Sequence, residues 1–190
     1  MNTILNNVNS EYKVKNSTFI TFLFYIENPK DIEKHLNLLK TKYPDATHYC
    51  YAYRTINSQK ASDDNEPKKT AGIPILQVLI KKDLVNVLAV VIRYFGGIKL
   101  GANGLVRAYS KAVSETIKLV QTKKLEKGYL IEIIFTYDKQ KSIDLLLKDQ
   151  IIIDKNFQDK ISYQAKINQE TLENLKANNI DFSILDEIYL

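Results

Sequence analysis

The run "VNVLAVVIRYFGGIKLGANGLVRAYSKAV", residues 85–113, constrains the fold more than any other part of the chain. Its first eleven residues are almost continuously apolar, the pattern of a strand covered on both faces or central in its sheet. Four of the chain's six glycines then fall at Gly96, Gly97, Gly101 and Gly104. After them Leu105, Ala108, Ala112, Ile117 and Val120 recur at helical spacing. The stretch is therefore a buried strand, a sharp glycine connection and a long helix. Glycines allow positive φ and close backbone approach, and the free amides of a helix N-terminus attract anions. Lys99 adds a point charge, and Arg93 and Arg107 add planar forks suited to phosphate oxygens. The spacing matches neither the dinucleotide fingerprint nor the P-loop. Two readings stay open: an anion cradle, or a tight turn whose arginines pair with nearby carboxylates.

Those carboxylates are at hand in "SDDNEP", where Asp63, Asp64 and Glu66 fall within four residues. The run lacks the spacing of a calcium loop, so it is a weak metal candidate beside a salt-bridged loop. It sits in "NSQKASDDNEPKKTAG", the longest turn-like segment and the expected mobile loop, where Lys68 and Lys69 add positive charge. "THYCYAYRTI" alternates strictly, with Tyr49, Tyr51 and Tyr53 on one strand face and His48, Cys50 and Ala52 on the other. The tyrosine face, with Tyr94 nearby, is a candidate base-stacking surface; packing beneath a helix is the other reading. His48 and Cys50 at i and i+2 stand about 6–7 Å apart, too far for a direct nucleophile–base pair.

Elsewhere, residues 11–27 read as one long or two short strands. A helix follows, with Asn28 as cap and Pro29 at its first position. Near "TKKLEKG" the pattern restarts: strand, short helix, a hairpin turned at residues 156–160, a helix opened by Asn168, and a final strand. This is the β-α-β-β-α-β order of a ferredoxin-like unit. Two domains are expected, 1–125 and 128–190, in an α+β chain.

Charge divides along the same line. Residues 1–127 hold 20 Lys/Arg against 11 Asp/Glu, a balance of +9, and residues 128–190 carry −4. A basic front half suits a polyanionic partner, although Lys-, Asn- and Ile-rich composition alone produces part of that excess. The single cysteine excludes an intramolecular disulfide. With two histidines it also excludes a Cys/His-rich zinc module. No membrane span or secretory signal is read, and a cytoplasmic setting is expected.

"HYCYAYR", "SDDNEPKKTAGIPIL", "NVLAVVIRYFGGIKLG" and "GLVRAYSKAV" occur in the order and spacing of the YigZ/IMPACT family, which the chain resembles over about residues 15–122. The resemblance implies a first domain like the ribosomal-protein fold shared with GHMP kinases, with helices packed on a mixed sheet. It also implies a second domain similar to the ferredoxin-like C-terminal modules of elongation factor G. It further implies a translation-associated, non-catalytic factor without a cofactor, with RNA, the ribosome or a translation-regulatory protein as partner. The anion surface would comprise Arg93, Gly96, Gly97, Lys99, Gly101, Asn103, Gly104 and Arg107, with Lys68 and Lys69 alongside. The competing class is a nucleotide-binding enzyme or switch with Mg²⁺ on Asp63, Asp64 or Glu66. The chain departs from the family pattern at Asn65, usually glycine, at Lys68–Lys69, usually Ser-Gly, and at Ala102–Asn103, usually Thr-Gly. Asn103 is expected to keep the turn by tolerating a left-handed conformation.

Overall fold

A computed structural model describes residues 1–190, which divide into two units, Met1–Lys124 and Leu125–Leu190. The first contains β1 (Asn2–Ile4), β2 (Val8–Val14), β3 (Ser17–Tyr25), α1 (Asp31–Lys42), β4 (His48–Arg54), β5 (Gln59–Ser62), α2 (Gly72–Lys81), β6 (Val87–Tyr94), α3 (Ala102–Ile117) and β7 (Thr122–Lys124). Five strands form one sheet in the order β2-β3-β6-β4-β5, antiparallel throughout where a mixed sheet was expected, and β1 pairs with β7.

The apolar run takes the middle of this sheet. Because strand side chains alternate in direction, Val87, Ala89 and Val91 join Phe19, Leu23, Cys50 and Ala52 against Ile75 and Leu79 of α2 and Leu105, Tyr109 and Val113 of α3. Leu88, Val90 and Ile92 join Phe22, Phe24 and Tyr53 against Ile32 and Leu39 of α1 on the opposite face. A strand sandwiched in this way has no polar face, which is why its sequence shows no alternation.

Three local readings change. Residues 11–27 belong to a hairpin that begins earlier, β2 and β3, turned at Lys15 and Asn16 with φ of 46° and 63°. Two consecutive positive φ values are the signature of a tight hairpin turn whose twist suits its strands. Helix α1 starts at Asp31, because the Asn28 side chain accepts from Lys30 N and its carbonyl from Asp31 N, making a turn ahead of the helix. In the expected loop, Gln59–Ser62 pairs with β4 as an edge strand.

The second unit contains β8 (Lys127–Phe135), a short 3-10 turn at Tyr137–Lys139, α4 (Gln140–Leu146), β9 (Ile151–Phe157), β10 (Ile161–Asn168), α5 (Gln169–Ala177) and β11 (Phe182–Tyr189). Its sheet order is β11-β8-β10-β9, all antiparallel, the ferredoxin-like arrangement. Ile131, Ile133, Phe135, Tyr163 and Ile167 cover Ile143 of α4 and Leu172 and Leu175 of α5. Asn168 caps α5, its side chain accepting from Thr171 N at 2.8 Å. No helix in the chain is long and apolar enough to cross a membrane.

Candidate functional site

The connection between β6 and α3 turns on two kinds of glycine. A Cβ on Gly96 would fall 2.0 Å from the backbone carbon of Asn16, so the loop can press on the β2–β3 turn only without a side chain. Gly97 and Gly101 adopt φ of 80° and 71°, the region glycine enters without strain. Gly101 is the residue before α3, and no side chain caps that helix or places an acid in its first turn. The first intrahelical bond runs from Leu105 N to Gly101 O, which leaves the amides of Ala102, Asn103 and Gly104 without a protein acceptor. Ala102 and Asn103 are ordinary helical residues. The left-handed position is Gly101, so the expected left-handed Asn103 is corrected and the Ala-Asn pair strains nothing.

The three acids of the preceding loop go to separate tasks. Asp63 Oδ1 accepts from Ala71 N and Gly72 N at 3.0 and 2.8 Å, and Oδ2 accepts from Lys69 N at 2.7 Å, so this side chain organises the start of α2. Asp64 Oδ2 accepts from Tyr49 N at 2.6 Å and ties the loop to β4. Glu66 turns inward. No group of three or more His, Cys, Asp or Glu side chains converges as a metal site.

Glu66 is the centre of a buried polar cluster. Its Oε1 accepts from Arg93 Nη1 at 2.5 Å and from the Tyr109 hydroxyl at 2.8 Å, and His48 Nε2 lies 3.8 Å away. The guanidinium of Arg93 lies 5.6 Å from the ring centroid of Phe19 and 5.5 Å from that of Phe95. Cys50 Sγ is 2.9 Å from the Asp63 carbonyl oxygen and 3.3 Å from the Tyr109 hydroxyl. Burial drives the Cys50 thiol and the Tyr109 phenol well above their ordinary pKa values, and neighbouring carboxylates reinforce the effect. The thiol is therefore protonated and inaccessible, unsuited to nucleophilic work. Both hydrogen bonds to the Glu66 carboxylate fall on Oε1.

Glu66 and Arg93 form the floor of a cleft of about 460 Å³. His48, Pro67 and Phe95 also line it, and Lys99, Gly101 and Ala102 bring the glycine loop and the start of α3 to the same space. Its size falls in the range of about 300–1,000 Å³ typical of small-ligand sites.

All of these residues lie in a segment with known relatives. Residues 15–117 match the Impact N-terminal domain. An IMPACT family member from Haemophilus influenzae is 35% identical over 170 residues, covering 86% of this chain and 82% of that protein. The chain belongs to the IMPACT family. Member YvyE of Bacillus subtilis is 46% identical over 108 residues, which cover 55% of this chain and 50% of that one; the chain thus matches about half the length of that relative. A crystal structure described as that of a hypothetical protein superimposes with a TM-score of 0.74 at 26% identity, over 97% of each chain.

Within the IMPACT segment the candidate residues separate. Arg93, Lys99 and Gly101 reach the cleft, but Arg93 is spoken for by Glu66, as the carboxylate-pairing reading of the turn has it. Gly104 and Arg107 line a different groove, with Tyr12, Val14 and Lys15. Arg107 makes no ion pair. Asn103, Lys68 and Lys69 are exposed outside the cleft. Tyr49, Tyr51, Tyr53 and Tyr94 pack on the α1 face of the sheet, with Tyr49 Oη donating to the Tyr43 carbonyl. His48, Phe95 and Tyr109 are the cleft and floor residues the sequence did not nominate as ligand-binding. Only alternation on β4 hinted at His48, and the helical spacing of α3 did not single out Tyr109.

Proposed function

We propose that this IMPACT-family chain is a non-catalytic, translation-linked factor whose first unit binds RNA phosphate at the amino terminus of α3. The observation that carries the reading is the uncapped, acid-free start of a sixteen-residue helix that opens onto a cleft beside Lys99. Three amides without acceptors and a helix dipole favour an anion there. The surrounding unit supplies the long-range attraction, since residues 1–124 carry 19 Lys/Arg and 10 Asp/Glu. Interactions of this kind give affinity with little sequence preference. The translation link follows from what family resemblance implies for the eukaryotic members. A Mg²⁺-dependent switch has less support, because both oxygens of Asp63 and one of Asp64 accept from backbone amides. The test is RNA retention by the full chain against salt concentration. Retention should be strong at low salt and weakened by Lys99→Ala combined with Arg107→Ala; no retention, or undiminished retention in the double variant, refutes the reading.

A further inference from the structure

We propose that the free edge of β2 takes an extended acidic segment of another protein as an added strand, in the groove that β2 shares with α3. The inference goes beyond RNA binding and does not rest on it.

Strand β2 ends the five-stranded sheet, so one of its edges has no partner. Its seven residues run in unbroken register with β3, from Val8 opposite Leu23 to Val14 opposite Ser17. A two-residue turn closes on a hydrogen-bonded pair, and such pairs alternate along antiparallel strands. Val8, Ser10, Tyr12 and Val14 therefore bond to β3, while the amides and carbonyls of Asn9, Glu11 and Lys13 point outward. Those three residues are exposed, and no other backbone group of the chain bonds to them. Natural edges are commonly blunted by a proline, a bulge or a free lysine. Strand β2 has no proline and no register shift, and its one lysine, Lys13, pairs with Glu11 at 2.7 Å.

The groove has a volume of about 640 Å³, and no residue of β3 lines it, so it opens on the outer side of β2. Tyr12, Val14, Leu100 and Val106 give it an apolar lining, with Val106 37% exposed. Lys15, Arg107 and Lys111 line it too, and no acidic side chain does. Arg107 and Lys111 are four residues apart and so share a face of α3. Lys111 pairs with Glu115 at 2.7 Å, whereas Lys15 and Arg107 have no ion-pair partner.

These features select the occupant. The outward amides and carbonyls of β2 need a second ladder of alternating donors and acceptors. Only a polypeptide supplies one; RNA would satisfy the cations alone. In strand addition the main chain gives affinity and alternate side chains give specificity. Here apolar side chains suit the lining and carboxylates suit the three cations.

The test titrates the full chain, at low salt, with an end-blocked octapeptide alternating valine and glutamate. The peptide should bind, and it should slow hydrogen exchange at the amides of Asn9, Glu11 and Lys13. A version with lysine for glutamate should bind at least roughly tenfold more weakly, since like charges then face one another. Glu11→Pro, a change tolerated where an edge N–H faces solvent, should weaken binding roughly tenfold by removing a ladder bond. Lys15→Glu with Lys111→Glu alters exposed side chains and keeps the ladder, so it tests the charge separately and should also weaken binding roughly tenfold. No binding at millimolar peptide, or equal binding of the lysine version, overturns the inference. Undiminished affinity in Glu11→Pro also overturns it, and displacement by hexauridylate would then assign the groove to polyanions by charge alone. A dimer of the chain that the peptide dissociates would seat a second copy there instead.

Discussion

Glu66 and Arg93 meet at 2.5 Å with side-chain exposures of 3% and 6%, so removing either partner strands a charge in the protein interior. Breaking a buried pair from one side typically costs about 3–5 kcal/mol, far more than the pair itself contributes. Glu66→Ala and Arg93→Ala should each destabilise the first unit by that amount in urea unfolding followed by hydrogen exchange of β6 amides. Joint replacement, Glu66→Gln with Arg93→Met, should cost well under the sum. The neighbouring thiol makes a second prediction. Burial raises the folded-state pKa of Cys50, so above the unfolded thiol value, about 8.5, the unfolded chain releases a proton that the folded chain retains. The stabilising contribution is thus full below that pH and diminishes as pH rises. Above about pH 9.5 the protein should lose roughly 1.4 kcal/mol per pH unit more than Cys50→Ala does. A thermal melt series from neutral to alkaline pH reads the difference, and parallel slopes would contradict it. None of this cluster was legible as a cluster, since Glu66 and Arg93 are 27 positions apart and only the fold brings them together. What the residues did convey was that arginines near a glycine turn and acids in a nearby loop are natural partners.

At the scale of elements, periodicity carried most of the fold. The unbroken apolar run of β6, the alternation of β4 and the restart near residue 125 all follow from which faces are covered. Several elements hid, two of them because their signals are weak in kind. The β2–β3 turn uses Lys15–Asn16, whereas Asn-Gly is the strong hairpin signal. Strand β5, "QKAS", is a polar edge whose one apolar residue, Ala61, is too little to show alternation. The loop after it is held by Asp63 and Asp64 through backbone amides, interactions with no sequence period at all. That loop also contains a testable strain. Asn65 and Lys69, the positions at which the family resemblance implies glycine, both adopt positive φ, 67° and 64°. Asparagine tolerates that region, whereas a lysine held there costs about 1–2 kcal/mol. Restoring glycine relieves the strain but adds freedom to the unfolded chain, a loss of about 0.4–1 kcal/mol. Lys69→Gly should therefore raise stability by about 0.5–1 kcal/mol, while Asn65→Gly should change it by less than half of that. Thermal unfolding of the two variants side by side decides the matter, and equal effects would show that left-handed geometry is not what distinguishes them.

For the whole molecule the relevant quantity is the placement of charge. The first unit carries +9 and the second −4 within a net of +5, so an anionic partner is drawn to one unit and repelled by the other. Electrostatic steering acts over about a Debye length, and exposed lysines need not enter the cleft to contribute. Lys68 and Lys69 are such residues, on the loop whose acids are engaged elsewhere. If they pair with RNA phosphates, each releases counterions from a single strand, and removing one flattens the slope of log affinity against log salt by about 0.7. Lys68→Gln with Lys69→Gln should therefore flatten the salt dependence of the full chain by about 1.4, with the same weakening for RNAs of different sequence. A double variant with unchanged slope would mean that the positive balance of the first unit is compositional, and that affinity resides in the cleft alone.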